Sequence, residues 1–79
     1  MITAGVDVGV ENTKIVILKD GKVIAKGMGR TGGAGRSQAI DKVWKETLEK
    51  AGLACSNIDN VIATGQGRFN VSFAKDNIV

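Results

Sequence analysis

Four residues near the N-terminus have the types and spacing of a phosphate site. Asp7 and Gly9 end one apolar segment, and Thr13 and Lys14 begin the next. Gly9 lets the backbone approach a ligand closely, and successive N–H groups in a turn form a concave anion site. Thr13 supplies a hydroxyl and Lys14 a positive charge, whereas Asp7 needs a magnesium ion, bound directly or through water, to face a phosphate. The spacing predicts a magnesium-phosphate site; the alternative is a hairpin turn in which Gly9 and Asn12 only relieve strain.

Three strands are predicted to position these residues. Apolar and polar residues alternate from Ile2 to Val8, which is the period of a half-buried strand. A β-branched run indicates a second strand over 14–19, and the Asp20-Gly21 pair after it is typical of a tight hairpin turn, because glycine supplies the positive φ. A third strand is predicted over 22–28, followed by a glycine-rich loop over 29–35. The four residues therefore lie at the tip of the first hairpin.

A helix and a fourth strand complete the predicted domain. Apolar residues recur at helical spacing over 37–51, with Ser37 as the expected N-cap, Gly52 as the residue that ends the helix and Leu53 closing onto its last turn. The apolar positions are Ile40, Val43, Trp44, Thr47, Leu48 and Ala51. A fourth strand is predicted over 60–64, and a right-handed crossover places it parallel to strand one. The sequence thus predicts an α/β fold, a βββαβ mixed sheet of order 3-2-1-4 with one packed helix.

Length and composition exclude several classes of function. The chain has 79 residues, which is one small domain at most, and it contains no His, so Ser-His triads and His-bound zinc sites are excluded. Its one cysteine, Cys55, cannot form an intramolecular disulfide, which fits a reducing cytoplasm. The Lys and Arg residues are dispersed and only three aromatic residues accompany them, so no nucleic-acid surface is predicted. No membrane segment is predicted either, because no apolar run approaches about 20 residues.

Two stretches of the chain resemble the motifs of a known family. "AGVDVGVENTKIVIL" (Ala4 to Leu18) resembles the first phosphate motif of the acetate kinase, sugar kinase, heat-shock 70 and actin superfamily, whose half-domains have a ribonuclease H-like βββαβ core. "NVIATGQGR" (Asn60 to Arg68) resembles the signature of the ATP-dependent activators of 2-hydroxyacyl-CoA dehydratases and of the ATP-hydrolysing subunits of benzoyl-CoA reductases. The resemblance covers nearly the whole chain and implies that residues 1–79 form a single partial domain, the N-terminal half of an actin-like ATPase domain.

The resemblance implies ATP and Mg²⁺ as ligands. Asp7 would be the catalytic residue, orienting the magnesium ion, through water, and the surroundings of the attacking water. The terminal phosphates would contact Gly9, Val10, Asn12, Thr13 and Lys14. The family often has Ser or Thr where this chain has Val10, so one hydroxyl donor to phosphate is lost.

The resemblance also implies a role for the glycine turn after strand four. Gly65 and Gly67, with Gln66 and Arg68 beside them, would lie at the same sheet edge as the hairpin tip. They would contact the nucleotide and sense its state, or contact a second subunit. A plain tight turn with a solvated Arg68 explains the same residues equally well.

Other implied properties reach beyond these 79 residues. Family members pair as homodimers or as dimers of like subunits, hold one [4Fe-4S] cluster between the subunits, and use ATP hydrolysis to deliver a low-potential electron to a dehydratase or reductase component in the cytoplasm. Cys55 matches no cluster-ligand position, and one thiolate cannot hold a cubane. ATPase activity would belong to the parent protein, while the isolated piece would be inactive and would self-associate through an uncovered edge of strand four.

Three alternatives stay open on the sequence alone. A ribonuclease H-like nuclease would use Asp7 as a metal ligand, although strand four ends in Ala63-Thr64-Gly65 and not in an acid. A sugar-type kinase of the same superfamily would share Asp7 and Gly9 and would take its catalytic base from later in the chain. The third alternative is a non-enzymatic interaction module.

Overall fold

A computed structural model of the chain describes residues 1–74 and 76–77. The strands are β1 (Ile2–Val8), β2 (Asn12–Lys19), β3 (Lys22–Arg30), β4 (Asn60–Thr64) and β5 (Asp76–Asn77). One α-helix, α1 (Arg36–Ala51), connects β3 to β4, and short 3₁₀ turns occupy Cys55–Asn57 and Arg68–Asn70. The strands form one mixed sheet of order β3-β2-β1-β4-β5. The α/β class and the predicted order 3-2-1-4 are therefore confirmed.

The strands differ from the predicted ones at their ends. The hairpin of β2 and β3 stays paired as far as Asn12 and Arg30, so both strands extend two residues beyond the predicted bounds. β1 is antiparallel to β2 and parallel to β4, as predicted. The expectation that the edge of β4 is uncovered is wrong at Ile62 and Ala63, because β5 pairs with them in parallel. The part of the β4 edge that is open to pairing with a second copy is therefore shorter than expected.

The turn between β2 and β3 has the predicted geometry. Asp20 and Gly21 have φ values of 52° and 83°, so both central residues are left-handed, as in a type I′ turn. This turn matches the right-handed twist of the strands and fixes the register of the hairpin. The register then shifts by one residue between Ile17 and Leu18, before the opposite end of β2, which carries the candidate site.

Helix α1 covers one face of the sheet and ends as predicted. Its buried positions are Ile40, Val43, Trp44, Thr47 and Leu48. They pack on the buried sheet residues Ala4, Val6, Val8, Ile15, Ile17, Ala25, Val61 and Ala63. Gly52 is left-handed, and the N–H groups of Gly52 and Leu53 donate to the carbonyls of Glu49 (3.1 Å) and Leu48 (3.0 Å), which close the helix end.

The start of α1 is where the prediction is wrong. The helix begins at Arg36 and not after a Ser37 cap, and its N-cap is Gly35, with φ 75° and no side-chain cap. The reason is that the glycine-rich loop enters the helix through a left-handed residue, which places Ser37 inside the first turn. No helix among residues 1–74 and 76–77 is long and apolar enough to cross a bilayer.

Candidate functional site

The tip of the hairpin between β1 and β2 is held by hydrogen bonds to its carbonyl groups. Four carbonyl oxygens at the tip each accept a hydrogen bond from a donor of the chain. These carbonyls belong to Val8, Val10, Glu11 and Asn12. A trans peptide holds its C=O and its N–H in opposite directions, so the hydrogen bond to the Val10 carbonyl also fixes the direction of the Glu11 amide.

Two amides of the tip have no hydrogen-bond partner among the described residues. The N–H groups of Val10 and Glu11 donate to no acceptor within the part of the chain that the structure describes, and both residues are exposed. The N–H of Gly9 is already used, because it donates to the Asn12 carbonyl at 2.8 Å. Neighbouring unpaired amides of exposed residues can form an anion site of the kind that holds phosphate. The structure therefore offers Val10 and Glu11, rather than Gly9, as the amide donors.

Asp7 and Lys14 lie side by side on the sheet face that α1 leaves open. They are opposite each other in the β1–β2 register, and both side chains are exposed. Along β1, Asp7 is followed by one more strand residue before the tip begins. A shallow groove of about 320 Å³ runs over this face, and its polar lining residues are Asp7, Lys14 and Thr64. The structure thus brings the predicted carboxylate and the predicted cation together at one place.

Thr13 does not share that place. Its side chain is fully buried on the helix-covered face, and its hydroxyl is hydrogen-bonded to the Thr31 hydroxyl. The reason is strand geometry, because successive side chains point to opposite faces and Lys14 takes the open one. The Thr13 hydroxyl ties the base of the tip to the end of β3.

The glycine turn after β4 packs against the end of β1. Gly65 has φ 96°, and a β-carbon there would overlap the Val8 carbonyl oxygen and stand 3.0 Å from Asp7 Oδ1. The N–H of Gly67 donates to the same Val8 carbonyl at 3.2 Å, and a β-carbon on Gly67 would overlap the Val8 side chain. Both glycines are therefore required by close approach, and the two sequence motifs meet at Asp7 and Val8.

The other two residues of that turn are Gln66 and Arg68. Gln66 is exposed. Arg68 donates from Nη1 to the Gly65 carbonyl at 3.0 Å, and its guanidinium lies 4.5 Å from the centre of the Phe69 ring. Arg68 therefore stabilises the turn that contains it.

Sequence reasoning missed three residues that hold the tip. The N–H groups of Thr31 and Gly32 donate to the Glu11 carbonyl at 2.7 and 3.0 Å, and Arg36 donates from Nη2 to the Val10 carbonyl at 2.8 Å. The signal that was available is Arg36 itself, a cation placed at the start of a helix, where the helix dipole disfavours it. Thr31 and Gly32 gave no signal beyond belonging to a glycine-rich loop.

The described residues suit some of the implied cofactors and not others. Among them, no group of three or more Asp, Glu, Cys or His side chains could cage a metal ion. One exposed carboxylate, Asp7, suits Mg²⁺, which keeps several waters and takes further ligands from phosphate. Cys55 is exposed and is a single thiol, so these residues do not fit a [4Fe-4S] cluster.

Comparison with known proteins finds close sequence relatives. No family model matches the chain. The chain is 43% identical over 81 residues to the activator of lactoyl-CoA dehydratase from Anaerotignum propionicum, covering 99% of this chain and 30% of the relative. It is 38% identical to the 2-hydroxyisocaproyl-CoA dehydratase activator from Clostridioides difficile, with 99% and 29% coverage. The chain thus spans about 30% of the length of the relatives it matches.

Solved structures give the same picture. Component A of the (R)-2-hydroxyglutaryl-CoA dehydratase from Acidaminococcus fermentans superposes with a TM-score of 0.88 at 32% identity, over 99% of this chain and 30% of that one. The activator of the 2-hydroxyisocaproyl-CoA dehydratase from Clostridium difficile, solved with bound ADPNP, gives 0.87 at 35% identity, over 99% and 29%. A hexokinase from Thermus thermophilus gives 0.67 at 16% identity, over 82% and 22%, which is a likeness of fold alone.

Proposed function

From its homology to activators of 2-hydroxyacyl-CoA dehydratases, which extends over 99% of the chain, we propose that these residues are the nucleotide-phosphate-binding part of an ATPase. The parent protein couples ATP hydrolysis to the transfer of a low-potential electron from a [4Fe-4S] cluster to an acyl-CoA dehydratase or reductase. One observation carries the proposal, namely that carbonyls of the hairpin tip are held by hydrogen bonds while the Val10 and Glu11 amides have no acceptor among the described residues.

In this proposal each side chain near the tip has a separate task. The Val10 and Glu11 amides donate to oxygens of the terminal phosphates, and Lys14 adds a positive charge at the same sheet edge. Asp7 would hold Mg²⁺ through water and would orient the water that attacks the γ-phosphate. Bound Mg²⁺ supplies neutralisation of the charge that develops on the phosphate oxygens. Gly65 and Gly67 keep the second motif close to Asp7. A change in the state of the nucleotide at Asp7 can therefore change the second motif.

The remaining parts of the proposal lie outside this chain. The cluster ligands belong to other parts of the parent protein, because Cys55 is a lone exposed thiol. The partners are a like subunit and a dehydratase or reductase component, and the compartment is the cytoplasm. Half of a nucleotide cleft binds ATP weakly, so the isolated chain is inactive as an ATPase.

Similarity of sequence favours this function over a sugar-type kinase. The kinase likeness is one of fold, at 16% identity, whereas the activators share 38 to 43% of the aligned residues. A nuclease is disfavoured by the site itself, because β4 presents Thr64 opposite Asp7, where a two-metal site needs a second carboxylate.

The test is to express the whole reading frame that encodes this chain and to purify the product without oxygen. We expect bound iron and sulfide in the amounts of one cubane per dimer, and ATP hydrolysis that is lost in Asp7→Asn. Glu46→Gln is the matched control, because it removes one carboxylate charge from an exposed position on α1. A product that binds no iron and phosphorylates a sugar would establish the kinase alternative instead.

A further inference from the structure

Arg36 is the first residue of α1, where local physical chemistry disfavours it. The N-terminal end of a helix carries partial positive charge, so acidic side chains stabilise it and a guanidinium does not. This helix start also has a left-handed glycine as its N-cap, no side-chain cap and no acidic residue in its first turn. Residues that break local rules are expected where a functional site requires them.

The Arg36 guanidinium binds two carbonyls from separate segments. Its Nη2 donates to the Val10 carbonyl at 2.8 Å, and its Nε donates to the Thr31 carbonyl at 3.3 Å. Val10 lies in the hairpin tip and is 26 residues away in sequence. A planar guanidinium can hold two acceptors in a fixed relation, which the single flexible ammonium of lysine cannot do. Arg36 therefore fixes the tip relative to the end of β3.

The same side chain also touches the glycine turn after β4. A β-carbon on Gly67 would stand 3.0 Å from Arg36 Nη1 and 3.3 Å from its Cδ. Gly67 donates in turn to the Val8 carbonyl at the end of β1. Three segments thus meet at Arg36: the hairpin tip, the residue after β3 and the turn of the second motif.

We propose that Arg36 is a positioning residue for the phosphate site, and this inference rests on the proposed function. The Val10 carbonyl and the Glu11 N–H belong to one peptide plane and point in opposite directions. By holding the Val10 carbonyl, Arg36 keeps the Glu11 N–H directed to the opposite side of this peptide, where a phosphate oxygen is expected. Arg36 touches no phosphate itself and acts through the orientation of this peptide.

A second arginine provides a matched control for charge. Arg30 and Arg36 both line a groove of about 400 Å³ beside the tip, which Val10, Glu11, Gly32 and Gly33 complete. Arg30 is exposed, and its side chain donates no hydrogen bond to a tip carbonyl within the part of the chain that the structure describes. If positive charge near the tip were what mattered, the two arginines would act alike. If orientation matters, only Arg36 acts.

The experiment compares Arg36→Lys, Arg36→Gln and Arg30→Gln with the unaltered 79-residue chain by amide NMR. Without ligand, both Arg36 variants are expected to shift the Glu11 amide resonance and to broaden it, while Arg30→Gln leaves it in place. With Mg-ADPNP as the probe, both Arg36 variants are expected to bind about tenfold more weakly. Arg30→Gln changes the affinity by about twofold or less. An unshifted Glu11 amide in Arg36→Gln, or full affinity in Arg36→Lys, would overturn the inference.

The two arms separate failure of this inference from failure of the proposed function. If the unaltered chain shows no response to Mg-ADPNP, the proposed function loses its support, and the ligand-free arm still decides whether Arg36 orients the tip. Thermal unfolding of each variant shows whether the whole domain is affected. If Arg36→Gln does not fold, Arg36→Lys, which keeps the charge, carries the comparison.

Discussion

The carboxylate of Asp7 lies against Gly65, so close that a β-carbon on Gly65 would stand 3.0 Å from Asp7 Oδ1. Asp7 is the next-to-last residue of β1 and Gly65 follows β4, and the two strands are parallel neighbours. Motifs that are separate in the sequence therefore form one site. The same contact explains why the second motif requires glycine where a side chain would displace the carboxylate.

Replacing Gly65 by alanine is expected to damage both stability and the site. The residue has φ 96°, and its new β-carbon would overlap the Val8 carbonyl oxygen. Strain at such a φ, together with this overlap, is expected to lower the free energy of unfolding by about 3 kcal/mol or more. Urea denaturation followed by the fluorescence of Trp44, the single tryptophan, measures the loss.

Gly21→Ala is the matched control for that prediction. Gly21 has φ 83°, and a β-carbon there meets nothing within 4 Å. The alanine adds only backbone strain, expected to cost about 1 to 2 kcal/mol. Equal losses in the two variants would show that the contact of Gly65 with β1 contributes nothing.

Neutralising Asp7 is expected to remove the magnesium dependence of nucleotide binding. Asp7→Asn keeps the shape of an exposed side chain, so the urea midpoint should stay within error of the unaltered chain. Loss of a residue that holds the ion through water typically weakens metal affinity by about tenfold to a hundredfold. Calorimetric titration with ADPNP, with and without Mg²⁺, measures the effect, and Glu46→Gln should leave it unchanged. Binding that depends on Mg²⁺ as strongly in Asp7→Asn as in the unaltered chain would contradict this role.

The hydroxyls of Thr13 and Thr31 are expected to stabilise the base of the tip as a pair. Both side chains are almost fully buried and are hydrogen-bonded to each other. Each single Thr→Val change leaves one buried hydroxyl without its partner and is expected to cost about 1 to 3 kcal/mol. The double change should cost clearly less than the sum of the two, because no hydroxyl is then left unpaired. Additive losses in the urea experiment would show that the pair is not coupled.

Much of this fold could be predicted because its local signals agree. Alternation in β1, the Asp20-Gly21 turn and the apolar face of α1 each indicate the element that forms, and short connections then allow one sheet order. β5 could not be predicted, since two residues carry no periodicity and pair only because β4 offers an edge. Ser37 was misassigned because its type favours a cap, whereas Gly35 has the backbone freedom that the loop requires.

The candidate site was predictable in its parts and not in its arrangement. Residue types identified Asp7, Lys14 and the glycine turn, because few other roles need them at those spacings. Which amides are unpaired depends on where the tip carbonyls find donors, and those donors come from distant loop and helix residues such as Thr31 and Arg36. The face to which Thr13 points follows from its place in β2. The strand predicted from the sequence began two residues too late and left Thr13 outside it.

The ion pair between the N-terminal amine and Asp20 predicts a weak dependence of stability on pH. The two groups are 2.8 Å apart and exposed, and the hydrogen bond and charge of Asp20 raise the pKa of the Met1 amine. The same bond lowers the pKa of Asp20. The raised amine pKa adds stability that is complete below about pH 8 and is lost as the pH rises through the raised pKa. The lowered Asp20 pKa adds stability that is complete above about pH 4 and is lost as the pH falls through the lowered pKa.

Asp20→Asn tests this dependence. Asparagine tolerates the left-handed φ of 52° at this turn position, so the backbone should be unaffected. We expect the alkaline decrease in the urea midpoint between about pH 7 and about pH 10 to be smaller in the variant than in the unaltered chain. An identical decrease in both would mean that the pair does not contribute.

An amide NMR titration of the chain with Mg-ADPNP shows whether this hairpin tip binds phosphate. We expect that the Val10 and Glu11 amides shift most and saturate together at millimolar ligand, and that Asp7→Asn abolishes the response to Mg²⁺. Gly9, whose N–H already donates to Asn12, should shift less. Shifts confined to residues away from the tip, or none at all, would contradict a phosphate site at this hairpin.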